Sequence, residues 1–309
     1  MDKLDSKILL ELTKNSRIAF TVLAKKLRTS REVLNYRIDR LKEKKIILNF
    51  VTEIDVERLG YVAAAVFINI RIEKEKEFKD FLERCGFVSW VAELSGVWNF
   101  GLSIYGGNNN ELDEKFNLIY NKFKESINDH RFTLHKNSSF FYEKYFDGKY
   151  EFKLNKENYN VDDKDKIILK KLSKNSRISV VDLATNLKLS APAVIKRIKN
   201  LEKSGYILKY SIFVDLSKLN FYQYSVFIRN NIENKTKLNS YLSNHKNISF
   251  IAEYIGDNFL EFGIVVNNPY DLRVILRDIE ESFPDNRIIE VSLFQKEFLS
   301  VGSPRIVFE

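Results

Sequence analysis

The chain has 309 residues, of which 44% are hydrophobic and 30% charged, with a formal net charge of +8. That is the composition of folded domains, too long for one ordinary core, and it argues against a disordered chain. A single cysteine (Cys85) and three histidines (His130, His135, His245) exclude a disulfide framework and the common zinc spacings, so the expectation is a reduced, cytoplasmic protein with no cofactor or metal.

The opening stretch, MDKLDSKILLELTKNSR, lacks the apolar centre of a signal peptide, and no run of 18 apolar residues predicts a membrane span. Over the first 50 residues apolar positions recur at helical spacing in three bursts. A first helix is predicted from about Asp5 to Asn15 with Ile8, Leu9 and Leu12 inward. A second runs from Thr21 to Leu27 over Leu23, Ala24 and Leu27, and a third from Arg31 to Lys44 over Leu34, Ile38 and Leu41. Ser30 precedes the third helix, where its hydroxyl can cap an orphan amide. Only Arg28 to Ser30 separate helices two and three, which fits a helix-turn-helix.

β-rich runs follow at 46–54, 62–72, 87–94, 98–104 and 131–143, with helical patterns at 74–85 and 110–123. Apart from the first run, the order is β-α-β-β-α-β, the ferredoxin-like split βαβ. Cys85, Trp90 and Trp98 read as packing positions. Gly106-Gly107-Asn108 reads as a turn, since no Lys-Ser/Thr follows it to cradle a phosphate. His130 and His135 fall on opposite faces of their strand, which suits neither a metal pair nor a catalytic dyad.

A shift of 160 residues lays the chain on itself. KILLELTKNSRI (7–18) meets IILKKLSKNSRI (167–178), Lys14 to Ile18 is identical in both copies, and the match runs without a gap to Ala92-Glu93 against Ala252-Glu253. Such a period means duplicated domains. The expected organisation is a helix-turn-helix domain (1–55), a ferredoxin-like domain (56–146), a linker (147–160), a second helix-turn-helix domain (161–215) and a second ferredoxin-like domain (216–309). In copy two Ser190 is the cap and Pro192 sits in the first turn. Charge follows the repeat. Residues 1–50 hold 13 Lys/Arg against 6 Asp/Glu, and residues 161–210 hold 12 against 5. Each block is +7 and the rest of the chain is acidic, as expected of two polyanion-binding patches.

The residues D5-x-x-I-L-x-x-L-x-x-N-S-R-I18, L23-A-x-x-L27, S30 and R37-I-x-x-L41, with their counterparts from Asp165 to Leu201, resemble the Lrp/AsnC family of transcription regulators. Copy two keeps the family's glycine after the third helix (Gly205), whereas Lys45 replaces it in copy one. The resemblance implies an α+β fold of two winged-type helix-turn-helix domains, each followed by a ferredoxin-like regulatory (RAM) domain. It also implies double-stranded DNA as partner, and an intramolecular pseudo-dimer open to further assembly into homo-oligomers.

Candidate DNA contacts are Ser30, Arg31, Asn35, Tyr36, Arg37 and Arg40 in copy one. In copy two they are Ser190, Ala191, Lys196, Arg197, Lys199 and Asn200. Arg can pair with guanine and Asn with adenine, while Arg37 and Arg197, beside the buried stripe, are expected at phosphates. The unlike sets predict two non-identical half-sites. The family also senses amino acids or similar small molecules, which directs attention to Gly96, Asn99, Gly256, Asp257 and Glu261. No catalytic motif is found. The competing reading is a sirohaem decarboxylase of the same architecture, which would carry a His-Asn-Tyr signature where this chain has V88-S-W-V-A-E-L and I248-S-F-I-A-E-Y.

Overall fold

The computed structural model describes residues 1–148, 157–229, 232–256, 259–300 and 303–308. Copy one runs α1 (Lys3–Lys14), α2 (Phe20–Lys26), α3 (Arg31–Glu43), β1 (Ile47–Ile54), β2 (Val62–Ile70), α4 (Glu75–Leu82), β3 (Val88–Ser95), β4 (Phe100–Gly106), α5 (Asn109–Phe123) and β5 (Ile127–Phe140). Copy two repeats the order as α6 (Asp163–Lys174), α7 (Val180–Leu187), α8 (Ala191–Lys203), β6 (Ile207–Val214), β7 (Tyr222–Arg229), α9 (Lys235–Asn244), β8 (Ile248–Tyr254), β9 (Phe259–Val266), α10 (Pro269–Ser282) and β10 (Arg287–Ser300). The fold is α+β, with two helix-turn-helix domains and ferredoxin-like sheets. Each predicted helix and strand forms, with its ends displaced by a few residues. The largest displacement is in β5, which starts at Ile127 and gives way to a short turn, Tyr142–Phe146, instead of running to 143.

Contacts divide the chain into two compact units, and each draws on both copies. The first contains Met1–Tyr61, residues 157–215 and the C-terminal turn Arg305–Phe308. Its helices start where the sequence provides caps. Asp2 accepts from the amides of Leu4 and Asp5, and Asp162 does the same for Asp165, each in a capping box. The inner stripes are fully buried: Ile8, Leu9, Leu12, Leu23, Leu34 and Ile38 in copy one, and Ile168, Leu169, Leu172, Leu183, Val194 and Leu201 in copy two. Each such side chain contributes about 1.5–3 kcal/mol through burial. Tyr159, at the end of the expected linker, packs against the second of these cores, while 149–156 lie outside the described residues.

β1 and β6 pair antiparallel, and Val51 faces Ser211, its own counterpart 160 residues on. A pseudo-two-fold axis therefore passes through that pair. The Ser16 and Ser176 hydroxyls, also 160 apart, meet at 2.5 Å. Arg17 donates to the carbonyls of Ser176 and Ile178, and Arg177 reciprocates on Ser16 and Ile18. This is an isologous contact made within one chain.

In the second unit the eight remaining strands close into an antiparallel barrel of order β10-β3-β4-β2-β5-β8-β9-β7. Each half has the ferredoxin-like order, and the seams are β5 with β8 and β10 with β3. The barrel has a dyad of its own. Phe67 meets its counterpart Phe227 edge-on at 5.1 Å, and Arg131 forks onto Glu290, both held by the indole and rings around them. Closure removes the sheet edges at which a single ferredoxin-like copy would pair with other chains.

Candidate DNA-binding heads

Each head is the pair of helices after the first: α2 and α3 in copy one, α7 and α8 in copy two. The turn between them needs one left-handed residue, supplied by Arg28 (φ 53°) and its counterpart Lys188 (φ 51°). Ser30 and Ser190 cap α3 and α8, accepting from the amides of Val33 at 3.2 Å and Ala193 at 3.4 Å. After each helix the chain turns through a second left-handed position, Gly205 (φ 75°) in copy two and Lys45 (φ 54°) in copy one. Lys45 thus adopts the glycine conformation at a steric cost.

Arg37 and Arg197, expected at phosphates, are drawn into ion pairs with the first helix of their own copy. Arg37 donates to Asp2 at 2.5 Å and to Asp5 at 2.9 Å, and Arg197 makes the same bonds to Asp162 at 2.9 Å and Asp165 at 2.8 Å. The Arg37 guanidinium, assisted by the Asp5 and Leu4 amides, holds the Asp2 carboxyl down to about 2. Arg40, expected at a base, gives its Nη2 to Asp5 at 2.7 Å. Asn200 stands at that place in copy two, and the second oxygen of Asp165 takes the Tyr159 hydroxyl at 2.8 Å instead. Asp5 and Asp165 are buried, so these arginines tie α3 to α1 and α8 to α6.

The remaining candidates stand where a ligand could meet them. Arg31 and Tyr36 are exposed on α3, with Glu32 and Val33 beside them, while Asn35 is half-buried and its Oδ1 has no partner. On α8, Pro192, Ile195, Lys196 and Lys199 are exposed, and Ala191 and Asn200 half-buried. Lys44 and Lys45 extend the basic end of head one. Both faces can offer cations and apolar atoms to a groove, and both helices are rigidly based.

Among the candidate effector residues, Asn99, Glu261 and Gly96 are engaged within the fold. Asn99 accepts from the Ile70 amide at 3.0 Å and donates to its carbonyl at 2.7 Å, at the end of β2. Glu261 is buried and accepts from Ser225 at 2.6 Å and from Tyr254; burial raises its pKa. Gly96 lies against β10, where a Cβ would come within 2.7 Å of Ser292 Oγ. Gly256 is a left-handed turn with open space around it, and Asp257 lies outside the described residues. Trp90 and Trp98 each donate an indole N–H, to Glu297 and Glu290 respectively, as barrel residues.

Sequence reasoning missed Ser16, Arg17, Ser176 and Arg177 as the joint between the heads. A signal existed. Lys14 to Ile18 is the longest identical run between copies, yet it falls after a helix end, where no core stripe demands identity.

Two family models match the heads: an AsnC-type helix-turn-helix domain over residues 1–42 and a winged helix-turn-helix DNA-binding domain over residues 161–207. An uncharacterised HTH-type transcriptional regulator of Pyrococcus furiosus is 30% identical over 100 residues, covering 32% of this chain and 68% of the relative. The chain belongs to the Lrp/AsnC family. Other relatives include an uncharacterised HTH-type transcriptional regulator of Pyrococcus abyssi, 29% identical over 41% of this chain and 84% of its own length. LrpC of Bacillus subtilis is 33% identical over 29% of this chain and 62% of its own length. Among solved structures, the siroheme decarboxylase NirDL shares the fold over 97% of this chain and 93% of its own, with a TM-score of 0.65 at 16% identity. That likeness is one of fold.

Proposed function

We propose that this protein is a transcription regulator that binds double-stranded DNA through two heads joined in one chain, each laying its recognition helix in the major groove of one half-site. The observation that carries this reading is the pair of Ser-capped basic helices, α3 and α8, set about one pseudo-dyad by the β1–β6 ladder and the Ser16–Ser176 contact. In helix-turn-helix dimers the partners sit on half-sites about one helical turn apart, and a covalent pair fixes that relation without a second subunit. The base-facing set becomes Arg31, Asn35 and Tyr36 in head one and Ala191, Lys196, Lys199 and Asn200 in head two. Ser30 and Ser190 position the helix starts. Effector control, by an amino acid or similar small molecule, follows from family kinship alone. With Asn99 and Glu261 committed internally, such a ligand would need other contacts than those.

The test is a salt series on the purified chain with a duplex of random sequence. Six to ten phosphate contacts make affinity fall by about 10³–10⁵ between 50 and 200 mM salt. A flat response would remove the DNA-binding reading.

The second reading, tetrapyrrole decarboxylation, is favoured by the full-length fold likeness to NirDL. In this chain β3 and β8 carry Trp90 and Phe250 but no histidine. An absorbance titration with an iron tetrapyrrole decides it, since binding would shift the pigment's main band.

A further inference from the structure

Both heads share one backbone plan, but the first residues of α3 and α8 differ in charge. N-terminal residues of a recognition helix are those that reach base edges. In α3 they are Arg31, Glu32 and Val33, followed by Asn35 and Tyr36. In α8 the same five places, each 160 residues on, hold Ala191, Pro192, Ala193, Ile195 and Lys196. Arg31 and Glu32 are both exposed in the first turn, Glu32 accepting from the Ser30 hydroxyl and its own amide, and neither belongs to the Asp2–Asp5–Arg37–Arg40 cluster that holds the helix down. In α8 Ile195 keeps 42% of its surface exposed and Pro192 is exposed too, so an apolar strip faces outward at the corresponding place.

Base-pair chemistry separates these faces. Arg pairs bidentately with guanine O6 and N7, and a carboxylate accepts from the cytosine N4 amine, so adjacent Arg and Glu suit one G·C pair. Ala, Ile and Pro offer no hydrogen bond, and in the major groove their complement is the thymine methyl. A carboxylate at the DNA surface is repelled by phosphate unless it meets a donor, which makes Glu32 a discriminating group rather than a general anchor.

We propose that the protein reads a polar operator: head one requires a G·C pair through Arg31 and Glu32, and head two requires thymine methyls through Ala191, Pro192 and Ile195. The chain then binds DNA in one orientation only. This assignment rests on the DNA-binding reading and adds to it the identity of the bases at each end. A homodimer of identical heads could not impose such polarity; the duplication permits it.

The experiment is selection of bound duplexes from a randomised 30-base-pair pool by the full chain, followed by affinity measurement on the winner and on single-pair substitutions. The expected winner is asymmetric, with G·C in one half and a T-rich step in the other. Replacing that G·C pair weakens binding by about 5- to 150-fold, which is the 1–3 kcal/mol of one good bidentate contact. Replacing the thymine by uracil, which removes only the methyl, weakens the other half. Arg31→Ala, at an exposed position, erases the G·C preference and leaves the T preference intact. The pair Ala191→Arg with Pro192→Glu converts the second half to G·C and makes the selected site nearly palindromic. A palindromic winner from the unaltered chain, or an unchanged preference in Arg31→Ala, would overturn the assignment while leaving DNA binding in place. If no duplex is enriched even at low salt, both readings fall.

Discussion

Asp5 gives the sharpest handle on how a head is held. Its carboxylate is 2% exposed and takes Arg37 and Arg40 at 2.9 and 2.7 Å, while the arginines keep 21% and 33% of their surface. Removing one member of a buried ion pair costs about 3–5 kcal/mol when the other charge is stranded. Here both guanidinium groups can turn to water, so the expected loss for Asp5→Asn is about 2–4 kcal/mol after solvent screening. For a unit of this size that lowers the melting temperature by roughly 6–12 °C. Urea and thermal unfolding would measure it, with Arg37→Gln and the double variant completing a cycle whose coupling exceeds about 0.5 kcal/mol. The same change frees the Arg40 guanidinium and leaves Arg37 on Asp2 alone, so the variant's affinity for random duplex should show a steeper salt slope, by up to about 0.9 per new phosphate contact. Additive single losses, or a stability equal to the parent's, would show that these arginines are not structural and would return Arg37 and Arg197 to the phosphate role.

Further expectations concern other parts of the chain. Lys45→Gly, relieving a left-handed lysine, stabilises the first unit by about 0.5–1 kcal/mol, read as a higher urea midpoint with unchanged slope. Arg177→Met removes donors to Ser16 and Ile18 and a cation stacked 3.8 Å over Phe20; the expected cost is about 2–4 kcal/mol from one charged hydrogen-bonding group and one cation–π contact. Phe67→Ala empties the barrel dyad and costs about 3–5 kcal/mol in thermal unfolding. Burial pulls the His135 imidazole down to about 4. Its folded pKa lies below its unfolded one, so its contribution to stability is complete above about 6.5 and lost as pH falls toward 4. His135→Phe should flatten stability across that window, and an unchanged pH profile would contradict it.

Periodicity and the internal repeat made nearly every element legible, because the stripes Ile8/Leu9/Leu12 and Leu34/Ile38/Leu41 must be buried whatever lies beyond them. They also exposed the β-α-β-β-α-β order. What they could not show was which edge meets which. β1 reads as a lone strand, and only its pairing with β6, 160 residues away, reveals that the heads share one unit. The site was legible by residue type but not by allegiance. Arg31 and Arg37 look alike in sequence, both basic and on α3. They differ because Arg37, six residues further along α3, reaches Asp2 and Asp5, a contact 32–35 residues away in the chain. Asn99 and Glu261 were drawn by a family pattern, but the Ile70 backbone claimed the first and the Ser225 and Tyr254 hydroxyls the second.

The central claim is that one chain places two heads on one duplex, and hydroxyl-radical footprinting on a selected site tests it most directly. At one chain per duplex the account predicts two protected patches on the same face, about one helical turn (10 base pairs) apart, with the second patch alone lost when Lys196 and Lys199 are both changed to Gln. A single patch at that stoichiometry, or loss of both patches together, would contradict it.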